Sequence, residues 1–174
     1  MTYYSAADMA HAFRTVRKNT LQVAHDIPAD QFHYRATPDT RTVAETLAHV
    51  ASNTRWVHKV HGVDKLTSLS GEDFGKYIGE AGAYAATLTT RDAILHALEN
   101  DGRTFADWLE SLDEARLAER VSFAPPIQPA SKTRFEMLLG AKEHEMHHRA
   151  QLMLIQRLLG IVPHLTRARL ARQR

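Results

Sequence analysis

Two histidines spaced by four, His144 and His148, lie in the run Lys142-Glu143-His144-Glu145-Met146-His147-His148-Arg149-Ala150-Gln151. On an α-helix, side chains four apart stand one turn above each other on one face. Two imidazoles so placed offer a divalent metal ion two nitrogen ligands from a single helix. Read literally, His144-Glu145-Met146-His147-His148 also satisfies the H-E-x-x-H pattern of zinc peptidases. With His148 as reference, Met137, Ala141, His144, Leu152, Ile155 and Leu159 fall within about 40° of it at 100° per residue. Both histidines are therefore expected in a core-facing stripe. Neutral imidazoles buried there need hydrogen-bond partners or a metal, since unpaired burial costs about 1–3 kcal/mol. Two core histidines bonded to neighbouring side chains are the plainer alternative, and the i, i+4 spacing among other histidines favours a metal. His147, about 100° away around the helix, is expected on the flank.

The elements that must position such a pair read as helices. The pair sits in the longest helical pattern, roughly 131–159, stopped by Gly160 with Pro163 just beyond. A first helix is expected over 5–27, ended by Pro28, with Met9, Phe13, Val16, Val23 and Ile27 as its stripe and Thr20 in the gap. A second opens at the capping box Thr42-Val43-Ala44-Glu45 and runs to Gly62. His49 stands at the margin of its stripe with Asn53 and Trp56, where a ligand at the mouth of a pocket would be placed. Taken alone it is an ordinary helix-edge histidine; His58 and His61 are expected on the exposed side. Residues 63–88, diluted by Gly71, Gly75, Gly79 and Gly82, predict a crossover with helical turns over one end of a bundle. A third long helix starts at Thr89 or Thr90 and carries Ile94, Leu98, Phe105, Trp108 and Leu112, with Asn100-Asp101-Gly102 interrupting it. Asp101 falls on the inward side, as a kink residue or as a carboxylate near a metal or a ligand histidine. A proline-rich loop over 124–129 leads to the last helix. The expected fold class is all-α: a four-helix bundle with a long crossover between helices 2 and 3.

Bulk composition excludes several classes. The chain has 174 residues, 44% hydrophobic and 24% charged, as expected of one globular domain. Without Cys, it can offer no disulfide, no thiolate ligand and no cysteine nucleophile. No secretory signal and no membrane-spanning run are read from it, so a cytoplasmic location is expected. Arg167, Arg169, Arg172 and Arg174 sit at the end; removing these four from the formal +2 leaves a body of about −2. Such a tail could touch nucleic acid or anionic lipid. It is read as a solvated terminus, with neither nucleic acid nor membrane expected as a partner.

Thr-Val-Ala-Glu-Thr-Leu-Ala-His-Val at 42–50, His-Glu-Met-His-His-Arg-Ala-Gln at 144–151 and Leu-Leu-Gly-Ile-Val-Pro at 158–163 resemble the DinB/YfiT-like metal-binding bundles. The likeness covers nearly the whole chain and implies a bundle domain over 1–166 with a basic tail at 167–174. In that family three histidines hold a divalent metal, and the matching positions here are His49, His144 and His148. The family usually carries Gly where this chain has Ala150, away from the metal face. The resemblance implies a metal-dependent enzyme, a transferase by preference and an isomerase or hydrolase otherwise. Relatives include thiol S-transferases using bacillithiol, mycothiol or glutathione, and a maleylpyruvate isomerase.

Three neutral imidazoles leave a metal its full charge and an open position, which suits zinc or nickel, with iron or manganese as further options. Such a centre could lower the pKa of a bound water or thiol. With no Cys in the chain, a thiol must come from a small molecule that reacts with an electrophilic substrate. Glu145 is the candidate catalytic, proton-handling residue, and Asp101 and Gln151 are candidates for orienting the ligands. A zinc peptidase fits less well, because no strand is read for aligning a peptide and His49 lies upstream of the motif. A bundle that binds metal or a small molecule without turnover is the alternative of a different class. Phe135, Leu139, Met146, Ala150 and Met153 form a second apolar strip on the last helix, for which a homodimer is expected.

Overall fold

Residues 4–173 are described by the computed structural model. Each long helix begins at a residue whose side chain satisfies amides the helix itself cannot. Ser5 opens α1 (Ala6–Asp26), Thr42 opens α2 (Val43–His58), Ser70 opens α3 (Gly71–Thr87) and Thr133 opens α6 (Arg134–Leu158), each with a reciprocal carboxylate three residues on. Thr90 caps α4 (Arg91–Glu110) with its hydroxyl alone, on the Ala93 amide, and Asp113 caps the short α5 (Glu114–Ala118) on the Arg116 amide. Gly160, at φ 76°, ends α6 in the left-handed conformation that costs glycine least.

Helices α1, α2, α4 and α6 form the bundle, with α1 and α2 each packing on both α4 and α6. Val23, Ile27, Leu47, Val50, Leu98 and Leu152 fill one end of the core, and Met9, Phe13, Phe105 and Leu138 the other. The stripe foreseen for α1 is buried as a set, Thr20 included. On α6 the buried line runs through Leu138, Ala141, Glu145, His148, Leu152 and Ile155, so His144 stands at its edge and is only half-buried. Phe135 and Leu139 of the second apolar strip pack within the chain against the α1 end, and Met153 packs against the other core end, while Met146 stays exposed.

Three features correct the reading of the sequence. The crossover holds a full helix, α3, despite its glycines. A capping box starts it, Tyr77 anchors it in a core cluster, and the Tyr84 hydroxyl donates to Asp101 Oδ2 at 2.7 Å. Asn100-Asp101-Gly102 does not break α4, because Gly102 is where Arg17 crosses: a Cβ there would lie 2.5 Å from Arg17 Nη1. Strands also exist. β1 (Ser68–Leu69) pairs parallel with β2 (Arg120–Phe123), which pairs antiparallel with β3 (Ser131–Thr133), closing one end of the bundle.

That end is held by buried charge. After α2 the backbone continues over Lys59–Val63 as a π-turn, which brings His61 inside at 1% exposure instead of outside as expected. Arg134, fully buried, donates from Nη1 to His61 Nδ1 at 2.6 Å, from Nε to Glu119 at 2.9 Å and from Nη2 to the Leu66 carbonyl at 3.0 Å. Beyond α6, α7 (His164–Ala171) crosses the point where the basic tail begins, and Arg167 pairs with Asp26 of α1 at 2.7 Å. Arg174 of that tail lies outside the described residues. No helix among the described residues is long and apolar enough to cross a membrane.

Candidate metal centre

α2 starts at the capping box of Thr42 and α6 at that of Thr133; where the two helices pack, His49 meets His144 and His148. His49 Nε2 lies 2.9 Å from His144 Nε2, which lies 3.2 Å from His148 Nε2. One ring nitrogen from each of the three lies within 4.8 Å of the others. Nitrogens about 2.0–2.1 Å from a tetrahedral zinc stand roughly 3.3–3.4 Å apart, so the two close spacings need only small adjustment.

Protonation favours ligation. Burial is the largest cause lowering the pKa of each ring, to about 4 for His49 and about 3 for His144, and below the ordinary value for His148. Arg41, on the segment leading into α2, adds electrostatic opposition at all three. Neutral rings keep a lone pair for a metal. His148 Nδ1 faces Gln151 Oε1 at 2.8 Å, so its proton sits on Nδ1 and its Nε2 lone pair points at the shared centre. His144 Nδ1 has no partner, and its Nε2, between two other ring nitrogens, can donate to only one of them. Without a cation the cluster is under-satisfied; a divalent ion would accept all three lone pairs. The donor set fits a metal.

The remaining candidates divide. Asn53 and Trp56 line a cavity of about 340 Å³ that His144 also borders, and Trp56 Nε1 donates to Asn53 Oδ1 at 2.9 Å. Gln151 is at the cluster through His148. Asp101 is elsewhere: it accepts from Tyr84 and from Arg55 Nη1 at 3.3 Å, tying α3 and α2 to α4. Glu145 is also turned away from the centre. Arg17 Nε reaches its two oxygens at 2.9 and 3.1 Å, and Arg17 Nη2 adds a bond at 2.9 Å, with the two side chains 5% and 1% exposed. A zinc peptidase needs that carboxylate at the metal as general base, and here it is committed to α1. His147 is exposed on the flank. A cavity of about 360 Å³ among α2, α3 and α4 touches none of the three histidines. Sequence reasoning missed Arg41, Arg17, Lys132 and the cavity walls Phe74 and Phe123. No local pattern marks them, except that an arginine so near the α1 stripe could have prompted a search for a buried acid.

A family model described as the DinB superfamily matches residues 12–152. No curated protein matches the chain. Among solved structures, a DinB-like protein (YjoA) of Bacillus subtilis is similar at 19% identity, with a TM-score of 0.60, covering 87% of this chain and 91% of that one.

Proposed function

The chain belongs to the DinB superfamily, and from that premise we propose that it is a metal-dependent transferase acting on a low-molecular-weight thiol and an electrophile. His49, His144 and His148 would hold one divalent ion, zinc or nickel by the imidazole character of the set. The observation that carries the reading is the convergence of three ring nitrogens beside an apolar cavity. Bound there, such an ion supplies a double positive charge and an open position, which lower the pKa of a thiol. The chain's own residues prepare the place. Gln151 fixes the His148 tautomer, burial keeps His49 and His144 neutral, and the Trp56–Asn53 bond holds an indole as one cavity wall.

The test combines metal-loaded protein with mycothiol, bacillithiol or glutathione and a panel of electrophiles that includes maleylpyruvate. Turnover with one thiol, lost in His144→Ala, is expected. No thiol binding and no turnover would refute it. The committed Glu145 favours a second reading, a bundle that binds metal or a small molecule without turnover, and that result would select it. The proposal includes a homodimer, supported by Met146, Leu154 and Leu158 at 42%, 58% and 57% exposure on α6. Light scattering at micromolar concentration should give twice the chain mass; a monomer removes the dimer.

A further inference from the structure

We propose that the cavity beside His144 receives the electrophilic substrate and selects an amphipathic carboxylate, with its apolar or aromatic body between Trp56, Phe74, Phe123 and Met137 and its anionic end at Lys132. This rests on reading the histidine cluster as the reactive centre, which the same cavity borders.

The walls favour an apolar body. Trp56, Phe74, Phe123 and Met137 pack around the sheet end as one cluster, continuous with the buried Val60, Leu69 and Val121. Trp56 and Phe74 meet edge to face at 6.4 Å. At about 340 Å³ the space is near the lower bound of ligand sites, about 300 Å³, so it suits a small body.

The polar groups of the lining include one cation, Lys132, and one carboxylate, Glu136. Among the described residues no carboxylate lies within ion-pair distance of Lys132 on β3, unlike the paired Arg14, Arg17, Arg116 and Arg134. The acid beside it, Glu136, commits one oxygen to its own helix start, Oε2 accepting from the Thr133 amide at 2.6 Å and hydroxyl at 2.8 Å. Asn53 spends its carbonyl oxygen on Trp56, which leaves the amide N–H groups. His61 takes a bond from Arg134 on Nδ1; arginine only donates, so the ring's proton is on Nε2 as a second neutral donor. Gln128 and the second oxygen of Glu136 are the free acceptors among the lining side chains. A lysine outside any close ion pair, the donors of Asn53 and His61, and apolar walls complement an anion with an apolar body, with Glu136 the one opposing charge in the lining.

The test measures binding of 3-phenylpropanoate and of its uncharged amide by calorimetry, without thiol, to zinc-loaded and zinc-stripped protein. The acid should bind about fivefold more tightly than the amide in both forms, the size of one partly exposed ion pair. Lys132→Met should remove that preference and leave the amide within about twofold, while Phe74→Ala should weaken both probes. Equal affinities, or no binding of either, overturn the proposal. So does an acid preference that disappears with zinc and ignores Lys132→Met, for then the carboxylate is a metal ligand. Because no thiol is present, a failed transferase assay leaves these results standing, and a failure here leaves thiol chemistry open.

Discussion

Glu145→Ala separates packing from chemistry at the one acidic residue of the histidine motif. The carboxylate is 1% exposed and its partner Arg17 is 5% exposed, so removal leaves a guanidinium buried against Leu98 and Gly102 with no counter-charge. Breaking one partner of such a pair costs about 3–5 kcal/mol, far above the figure of at most about 1 kcal/mol for surface pairs. For a chain of this size that is a fall in Tm of about 6–20 °C. Urea unfolding of wild type, Glu145→Ala, Arg17→Met and the double variant would give the coupling, with metal content measured on each. The double variant should recover much of the loss, since no lone charge remains buried. Metal content should stay near wild type in the fraction that folds. A Glu145→Ala protein of unchanged stability that has lost its metal would refute the assignment and return the carboxylate to the histidine cluster.

Metal analysis on His49→Ala and His144→Ala should show most of the metal lost, with His147→Ala retaining it; full retention in the first two ends the three-ligand model. Gln151→Ala should weaken metal binding by about tenfold, since only the orientation of His148 is relaxed. Gly102→Ala should destabilise by about 1–3 kcal/mol despite the better helix former, because its Cβ would meet Arg17 Nη1 at 2.5 Å. Gly79→Ala on α3, with nothing within 4 Å, should instead stabilise by about 0.5–1 kcal/mol, and denaturation midpoints that move the same way would refute the contrast. Burial, then the Arg134 and Arg116 charges, lowers the His61 pKa from 6.5 to about 3. The unfolded chain therefore takes up a proton that the folded one refuses; this stability is complete above about pH 6.5 and is lost as pH falls toward 3, at up to about 1.4 kcal/mol per unit. Unfolding midpoints of wild type and His61→Gln from pH 7.5 to 5 should diverge in slope, and parallel curves would remove His61 from the account.

What the sequence determined by itself is local. Capping at Thr42, the stop at Gly160 and the stripe from Met9 to Ile27 depend on neighbours within a turn or two, so their spacing carries the information. The shared face of His144 and His148 is of the same kind. Glycine dilution misled at α3, because a capping box and the burial of Tyr77 outweigh a backbone cost of about 1 kcal/mol per glycine. Only the tertiary structure decided the rest. His49 meets the pair across 95 positions of chain, Arg17 meets Glu145 across 128, and Arg134 meets His61 across 73. No periodicity links such residues. A histidine on a helix margin or an arginine near a stripe looks solvated until another helix removes the water, and then desolvation dictates which partner it must find.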